Sequence, residues 1–313
     1  MNIVNKDKLK YIQDYGSLIA LFVLIITIGI ISPDFRTFGN FLSLLRQSAI
    51  NGLIAFGMTA IILTGGIDLS VGSILALTSI ICAHTIKMGL PAPIAMIVAL
   101  IFGILLGLIS GLMVTKSRLQ PFIATLITMT GYRGITMILS GGRPISRLGD
   151  NIILNNIGKG SFIGIPIPVW ILALFFILFL FILRSTILGR QIYATGSNSK
   201  AAELAGISIN KVKLIVYATS GFMASLSGLI LVSRLGSAQP TLGVGYELDA
   251  IAAVALGGTS MSGGRGKITG TLIGILIIAV LNNGLNIIGV SSYYQDVVKA
   301  FVIFLAVISD RNR

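Results

Sequence analysis

Two stretches of the sequence place polar and flexible residue types inside otherwise apolar runs: Leu63-Thr-Gly-Gly-Ile-Asp-Leu-Ser-Val-Gly-Ser73 and Leu256-Gly-Gly-Thr-Ser-Met-Ser-Gly-Gly264. Their likeness to each other is faint but internal. Glycine-rich interruptions in corresponding halves of a membrane protein can mark a solute path, because unwound backbone survives at membrane depth only where protein or a watery cavity covers it. They can equally be tight helix-packing glycines or a short interhelical turn. Asp68, beside Gly65 and Gly66, sharpens the choice. A carboxylate at bilayer depth costs roughly 2.5–3.5 kcal/mol on insertion scales and is usually paired or functional. Followed by Leu69-Ser70-Val71, the same aspartate also suits an N-cap that accepts backbone N–H bonds at the start of a helix.

A third constellation, Ser199-Lys-Ala-Ala-Glu-Leu-Ala-Gly206, reads as a short helix capped by Ser199 and stopped by Gly206. So few helical residues are not stable alone in water. On a loop, 184–213, with five basic residues, such a helix is explained either by docking into another protein or by lying on the membrane surface. Two other motifs fail on inspection. Gly266-Lys267 is followed by Ile268 where a phosphate loop needs Ser or Thr, and Met261 replaces its first Gly. Ser262-Gly263-Gly264 copies part of an ATPase signature with no nucleotide-binding domain around it. No metal-ligand spacing and no nucleophile-base arrangement is present, so neither a cofactor nor an enzymatic centre is expected.

The elements that must hold these residues are membrane spans. Of 313 residues, 55% are hydrophobic and 11% charged, and mean hydropathy is +0.96, against roughly 25% charged in soluble domains. A helix crossing ~30 Å of hydrocarbon needs about 20 mostly uncharged residues. The gaps between ionisable residues then give ten segments: Tyr15 to Ser32, two within Gln47 to Ile86, Ala92 to Thr115, Leu119 to Leu139, Phe162 to Leu183, Leu214 to Ser233, a weaker Asp249 to Gly264, Ile268 to Ile287, and Tyr293 to Ser309. The fold class is an all-α polytopic bundle, one transmembrane domain over 1–313, with ten spans, or eight if the short segment at Asp249 is re-entrant.

The formal charge of +13 would suit nucleic acid, but the basic residues are scattered between apolar runs and act as topogenic charges. With both termini on one side, that side holds fourteen of the 23 Lys and Arg and the opposite side seven, Arg133 and Lys299 lying within spans, which puts both termini in the cytoplasm. The turn at Asp68 then lies on the cytoplasmic half without a single basic residue, as expected of a turn folded inward. Lone Cys82 and His84 are read as packed residues.

Along nearly the whole chain, from about Leu18 to Ala306, the sequence closely resembles the ribose-type permeases of bacterial ATP-binding-cassette sugar importers. The matching stretches are Gly57-Met-Thr, Ile62 to Ser73, Phe122-Ile-Ala-Thr-Leu126, Ser237-Ala-Gln-Pro240, Gly245-Tyr-Glu-Leu-Asp-Ala-Ile-Ala-Ala253, Leu281-Asn-Asn-Gly-Leu-Asn286 and Gly289-Val-Ser-Ser-Tyr-Tyr-Gln295. The resemblance implies an inner-membrane homodimer embedded in lipid, a cytoplasmic ATPase and a periplasmic sugar-binding protein. It also implies that 184–213 is a coupling loop, with Ser199, Lys200, Ala201, Ala202, Glu203 and Gly206 meeting the ATPase. Ala201-Ala202 and Gly206 match the family's Glu-Ala-Ala-x-x-x-Gly pattern, whereas Lys200 stands at the Glu and the later proline is absent. Ala202 is expected on the docking face. Pathway candidates are Gly65, Gly66, Asp68, Gln239, Asn282, Asn283 and Asn286. The three asparagines at helical spacing could bond sugar hydroxyls or neighbouring helices. An autonomous transporter would need an ion relay, for which Asp68 is the only clear intramembrane acid, with Arg133 and Lys299 near span ends.

Overall fold

The computed structural model of the chain describes residues 3–117, 119–149 and 151–311. Thirteen α-helices form the described residues into a bundle: α1 Ile3–Ile31, α2 Phe38–Leu63, α3 Val71–Lys87, α4 Ala92–Lys116, α5 Pro121–Ser140, α6 Ile152–Lys159, α7 Ile167–Ser185, α8 Ile187–Ser197, α9 Ser199–Leu204, α10 Ile209–Leu235, α11 Tyr246–Leu256, α12 Ile268–Ile287 and α13 Ser292–Arg311. Two-residue strands β1 (Ile145–Ser146) and β4 (Ser237–Ala238) pair antiparallel, as do β2 (Ser161–Phe162) and β3 (Ile165–Pro166).

Every segment expected to span contains a helix. Among the described residues α2, α4, α5, α7, α10 and α12 are long and apolar enough to cross a membrane, while Gly16–Ile31 and α3 are shorter apolar helices. The weak segment at Asp249 is α11, whose eleven residues extend only about 16 Å and so cannot cross ~30 Å of hydrocarbon alone. The sequence boundary at Gln47 is late: α2 begins at Phe38, and Arg46 lies inside it. A charge inside a helix that neighbours enclose does not end the helix.

The centre of the bundle is α2 and α10, both almost wholly enclosed. Small residues let them approach. A Cβ added at Gly57 of α2 would stand 2.9 Å from Ser220 Cα of α10, and one at Gly103 of α4 would stand 2.7 Å from the Gly221 carbonyl oxygen. Ser225 and Ser227 of α10 donate to the Ala99 and Ile50 carbonyls at 2.9 and 3.0 Å. Close backbone approach with serine hydrogen bonds is how helices associate where water supplies no hydrophobic drive. The outer faces carry exposed Ile97, Ile101 and Leu105 on α4 and Leu174, Ile177 and Phe181 on α7, an apolar surface suited to lipid rather than water.

The N-terminal and C-terminal ends of α2 mark two ends of the bundle. One end holds the β1–β4 pair and the reciprocal amide bonds between Asn40 and Asn283, and from it the 236–245 loop reaches inward, held by Arg133 and packed so closely at Gly243 that a Cβ on Gly72 would fall against its carbonyl. The other end holds both glycine-rich breaks and the loop bearing α8 and α9.

Candidate functional site

The first break follows α2, whose C-terminal turn closes with Thr64 N–H on Ile61 O and Gly65 N–H on Ile62 O. The second follows α11, and Ser260 N–H closes it on Arg265 O at 2.8 Å. The two breaks meet, because Gly264 N–H donates to Leu63 O at 3.0 Å and a Cβ on Gly263 would stand 2.8 Å from Gly65 N. Sequence alone gave their likeness; their contact is a finding of the structure.

Onto this junction the loop places α8. A Cβ added at Gly196, near its end, would fall inside the Leu63 carbonyl oxygen and 2.5 Å from Gly264 N. Tyr193 donates its hydroxyl to Gly266 O at 2.9 Å, and Ser197 Oγ reaches Gly264 O at 3.4 Å. Burial raises the pKa of the Tyr193 phenol above its ordinary value, so it remains a donor at neutral pH. One helix end thus touches both breaks, and a single residue, Asn198, connects it to α9.

The cap of α9 differs from expectation. Asn198, not Ser199, is its N-cap: Asn198 Oδ1 accepts Ala201 N–H at 3.0 Å, and Ser199 is the first helical residue. Both residue types are good caps, so the spacing alone could not choose between neighbours. The other end is as expected. Gly206 has φ +83°, its N–H reaches Glu203 O at 2.9 Å, and Ile207 N–H reaches Ala202 O at 3.0 Å, the two bonds of a Schellman motif.

Ala202 is not on the outward face. It is only 5% exposed, in a helix that packs on α8 and α10, and its small side chain permits that seat. Lys200, Ala201 and Glu203 are exposed, and Leu204 is 91% exposed. Leu204, which sequence reasoning passed over, is thus a large apolar side chain held out from the loop, at a position that Gly206 and Asn198 fix from either side.

Asp68 is fully enclosed. Its Oδ1 accepts the Ser70 N–H at 2.8 Å and the Ser70 hydroxyl at 2.5 Å, and Asp68 stands three residues ahead of the first residue of α3, with Ser70 at the cap position, so it forms an Asx-type turn rather than an N-cap. Ser70 Oγ lies 3.1 Å from Ser110 Oγ, which donates to Thr128 Oγ1 at 3.1 Å. Tyr217 and Thr125 both donate to Ile67 O, at 3.3 and 3.2 Å. The first break is therefore pinned to α4, α5 and α10. Gly66 is buried within it and Gly65 is exposed.

The remaining candidates lie at the opposite end and do not all converge. Gln239 is half-buried in the loop after β4. Asn283 is spent on Asn40, each amide donating to the other at 2.8 and 3.0 Å. Asn282 and Asn286 line a hollow of about 530 Å³ with Gln47, Asn51, Asp249 and Lys299. Here the sequence reading needs correction, for Asp68 is not the only enclosed acid. Asp249 is 7% exposed, lies 3.4 Å from Lys299 Nζ, and accepts from Asn282 Nδ2 at 3.4 Å. The signal was a charge in each of two apolar segments that flank Ile268 to Ile287: Asp249, which only marked the start of one, and Lys299, within the other. Arg133 is occupied by two carbonyls, Pro240 O at 2.6 Å and Leu242 O at 2.9 Å, and pins the 236–245 loop.

The family model described as "Branched-chain amino acid transport system / permease component" matches residues 40–307. The ribose import permease protein of Bacillus subtilis is 54% identical over 96% of this chain and 94% of its own length. That of Haemophilus influenzae is 52% identical over the same shares, and that of Escherichia coli K12 is 50% identical over 97% and 95%. No solved structure matches the chain. At half identity over nearly the full length of these relatives, the chain belongs to the ribose-type permeases of bacterial ATP-binding-cassette sugar importers.

Proposed function

We propose that this chain forms the path for ribose across a bacterial inner membrane, as a homodimer that works with a cytoplasmic ATPase and a periplasmic sugar-binding protein. The ribose permeases at half identity over nearly full length support the substrate. One observation carries the coupling: the end of α8 is wedged against Leu63 and Gly264, so a push on α9 reaches both breaks without passing through a flexible segment. In this reading the ATPase grips Lys200, Ala201, Glu203 and Leu204, while Ser199, Ala202 and Gly206 shape and seat the helix. The breaks, with Gly65, Gly66 and Asp68 in the first, are the hinge at which the inner end opens and closes. Packed elements of this kind switch between discrete arrangements rather than bending smoothly.

Restoring ribose-dependent growth to a bacterium that lacks only its own ribose permease tests the substrate. Growth on ribose is expected, and growth on another pentose or hexose with none on ribose would move the chain to a different cargo. The purified chain alone is expected to hydrolyse no ATP, since the sequence has no phosphate-cradling loop. Hydrolysis that persists after contaminating ATPases are excluded would overturn the division of labour.

Orientation is proposed from the basic asymmetry, with the breaks, α8, α9 and both termini cytoplasmic. Reporters active on one side only, fused after Arg313 and within 140–160, are expected to place the first in the cytoplasm and the second in the periplasm. The reverse result at either position would refute the arrangement.

A further inference from the structure

We propose that the hollow between α2, α11, α12 and α13 is a binding site for the sugar on its way through the membrane. The inference rests on the ribose reading above and deepens it by assigning residues. The volume, about 530 Å³, falls within the ~300–1,000 Å³ range of small-molecule sites. The chemistry of the lining is the stronger argument. Gln47, Asn51, Asn282 and Asn286 are uncharged amides, each offering both a donor and an acceptor, which is what neighbouring hydroxyls of a monosaccharide need.

The charges present oppose each other, Asp249 against Lys299 at 3.4 Å. A hollow lined by one acid and one base in contact favours a neutral, many-hydroxyl solute over an ion, which would meet a like charge as well as an unlike one. Asn282 is 8% exposed, and its Nδ2 reaches Asp249 while its Oδ1 has no partner among the described residues. An acceptor enclosed without a donor costs free energy unless a ligand or water satisfies it. A sugar hydroxyl is the donor that a sugar permease would bring there.

The hollow lies at the end of the bundle away from the breaks, where the loop 288–291 joins α12 to α13. In the proposed orientation that end meets the binding protein. The site would therefore hold the sugar after delivery and before the inner hinge opens. Asn283, facing Asn40, takes no part.

The test uses the whole importer, permease with its ATPase and binding protein, reconstituted in lipid vesicles with labelled ribose. Asn286→Leu and Gln47→Leu remove amides from an exposed and a half-buried position of the lining and are compared with Asn286→Gln. Each leucine variant is expected to lower uptake roughly tenfold, the loss of one oriented hydrogen-bonding group, while ATPase co-purification and ATP hydrolysis stay at the wild-type level; Asn286→Gln retains most uptake. Wild-type uptake by both leucine variants overturns the site. So does loss of the ATPase or of the folded permease in step with uptake, because that marks a packing role. The wild-type importer in the same vesicles separates the two levels: if it moves no ribose, the substrate reading fails and not merely this site.

Discussion

Gly196→Val is expected to abolish ATP-driven ribose uptake while the chain still inserts, accumulates and binds its ATPase. Gly196 is the point at which α8 meets both breaks, and its hydrogen faces the Leu63 carbonyl oxygen and the Gly264 amide with no room for a Cβ. Forcing a side chain into such a contact costs about 1–3 kcal/mol and shifts backbone. Applied to the balance between two arrangements of a hinge, that energy displaces the equilibrium roughly ten- to a hundredfold. Gly196→Ala makes the same clash with one carbon and separates steric jamming from wholesale misfolding, because its smaller intrusion leaves the transmembrane core untouched. The checking measurement is initial uptake rate against immunoblotted protein and ATPase co-purification. Uptake near wild type in Gly196→Ala would show that α8 is not wedged where the coupling needs it.

The second large effect is at Leu204. On docking, its exposed side chain would lose contact with water, worth about 1.5–3 kcal/mol for a leucine, and roughly ten- to a hundredfold in affinity. Leu204→Glu is expected to strip the ATPase from the permease during purification. Its own stability should change by no more than about 0.5 kcal/mol, the usual scale for an exposed position with no special role. Gly206→Val acts by a different route, straining a residue held at φ +83° by about 1–3 kcal/mol and so loosening the presentation of Leu204. Ala202→Arg is no substitute for either, because Ala202 is buried and an arginine there unseats α9 from its own chain. Normal co-purification and uptake by both Leu204→Glu and Gly206→Val would reduce the loop to a connector.

The positions of helices were legible because lipid imposes a length: each of the ten gaps between charges contains a helix, and the shortest of them among the described residues, the eleven-residue α11 at Asp249, was already the weakest segment. The stop of α9 was legible because a left-handed C′ residue selects glycine at Gly206. What the sequence could not give was pairing. Asp249 and Lys299 lie fifty residues apart, and charges that end a span and charges that find each other inside a bundle look alike until the helices are packed. For the same reason Asn282, Asn283 and Asn286 formed one set in sequence, yet a step of one residue turns a helix by about 100° and sends Asn283 to Asn40 while Asn282 faces the hollow. Asn198 and Ser199 were likewise indistinguishable as caps without the backbone. The meeting of the two breaks under α8 joins residues 63, 196 and 264, a contact that no local pattern encodes.

The most direct measurement is ribose accumulation by vesicles containing this permease and its ATPase, with the binding protein on the delivery side and ATP on the other. Accumulation above the outside concentration is expected only when all three proteins and ATP are present, and is expected to vanish with Leu204→Glu. Ribose accumulation by vesicles holding the permease alone, driven by an imposed proton or sodium gradient, would contradict it.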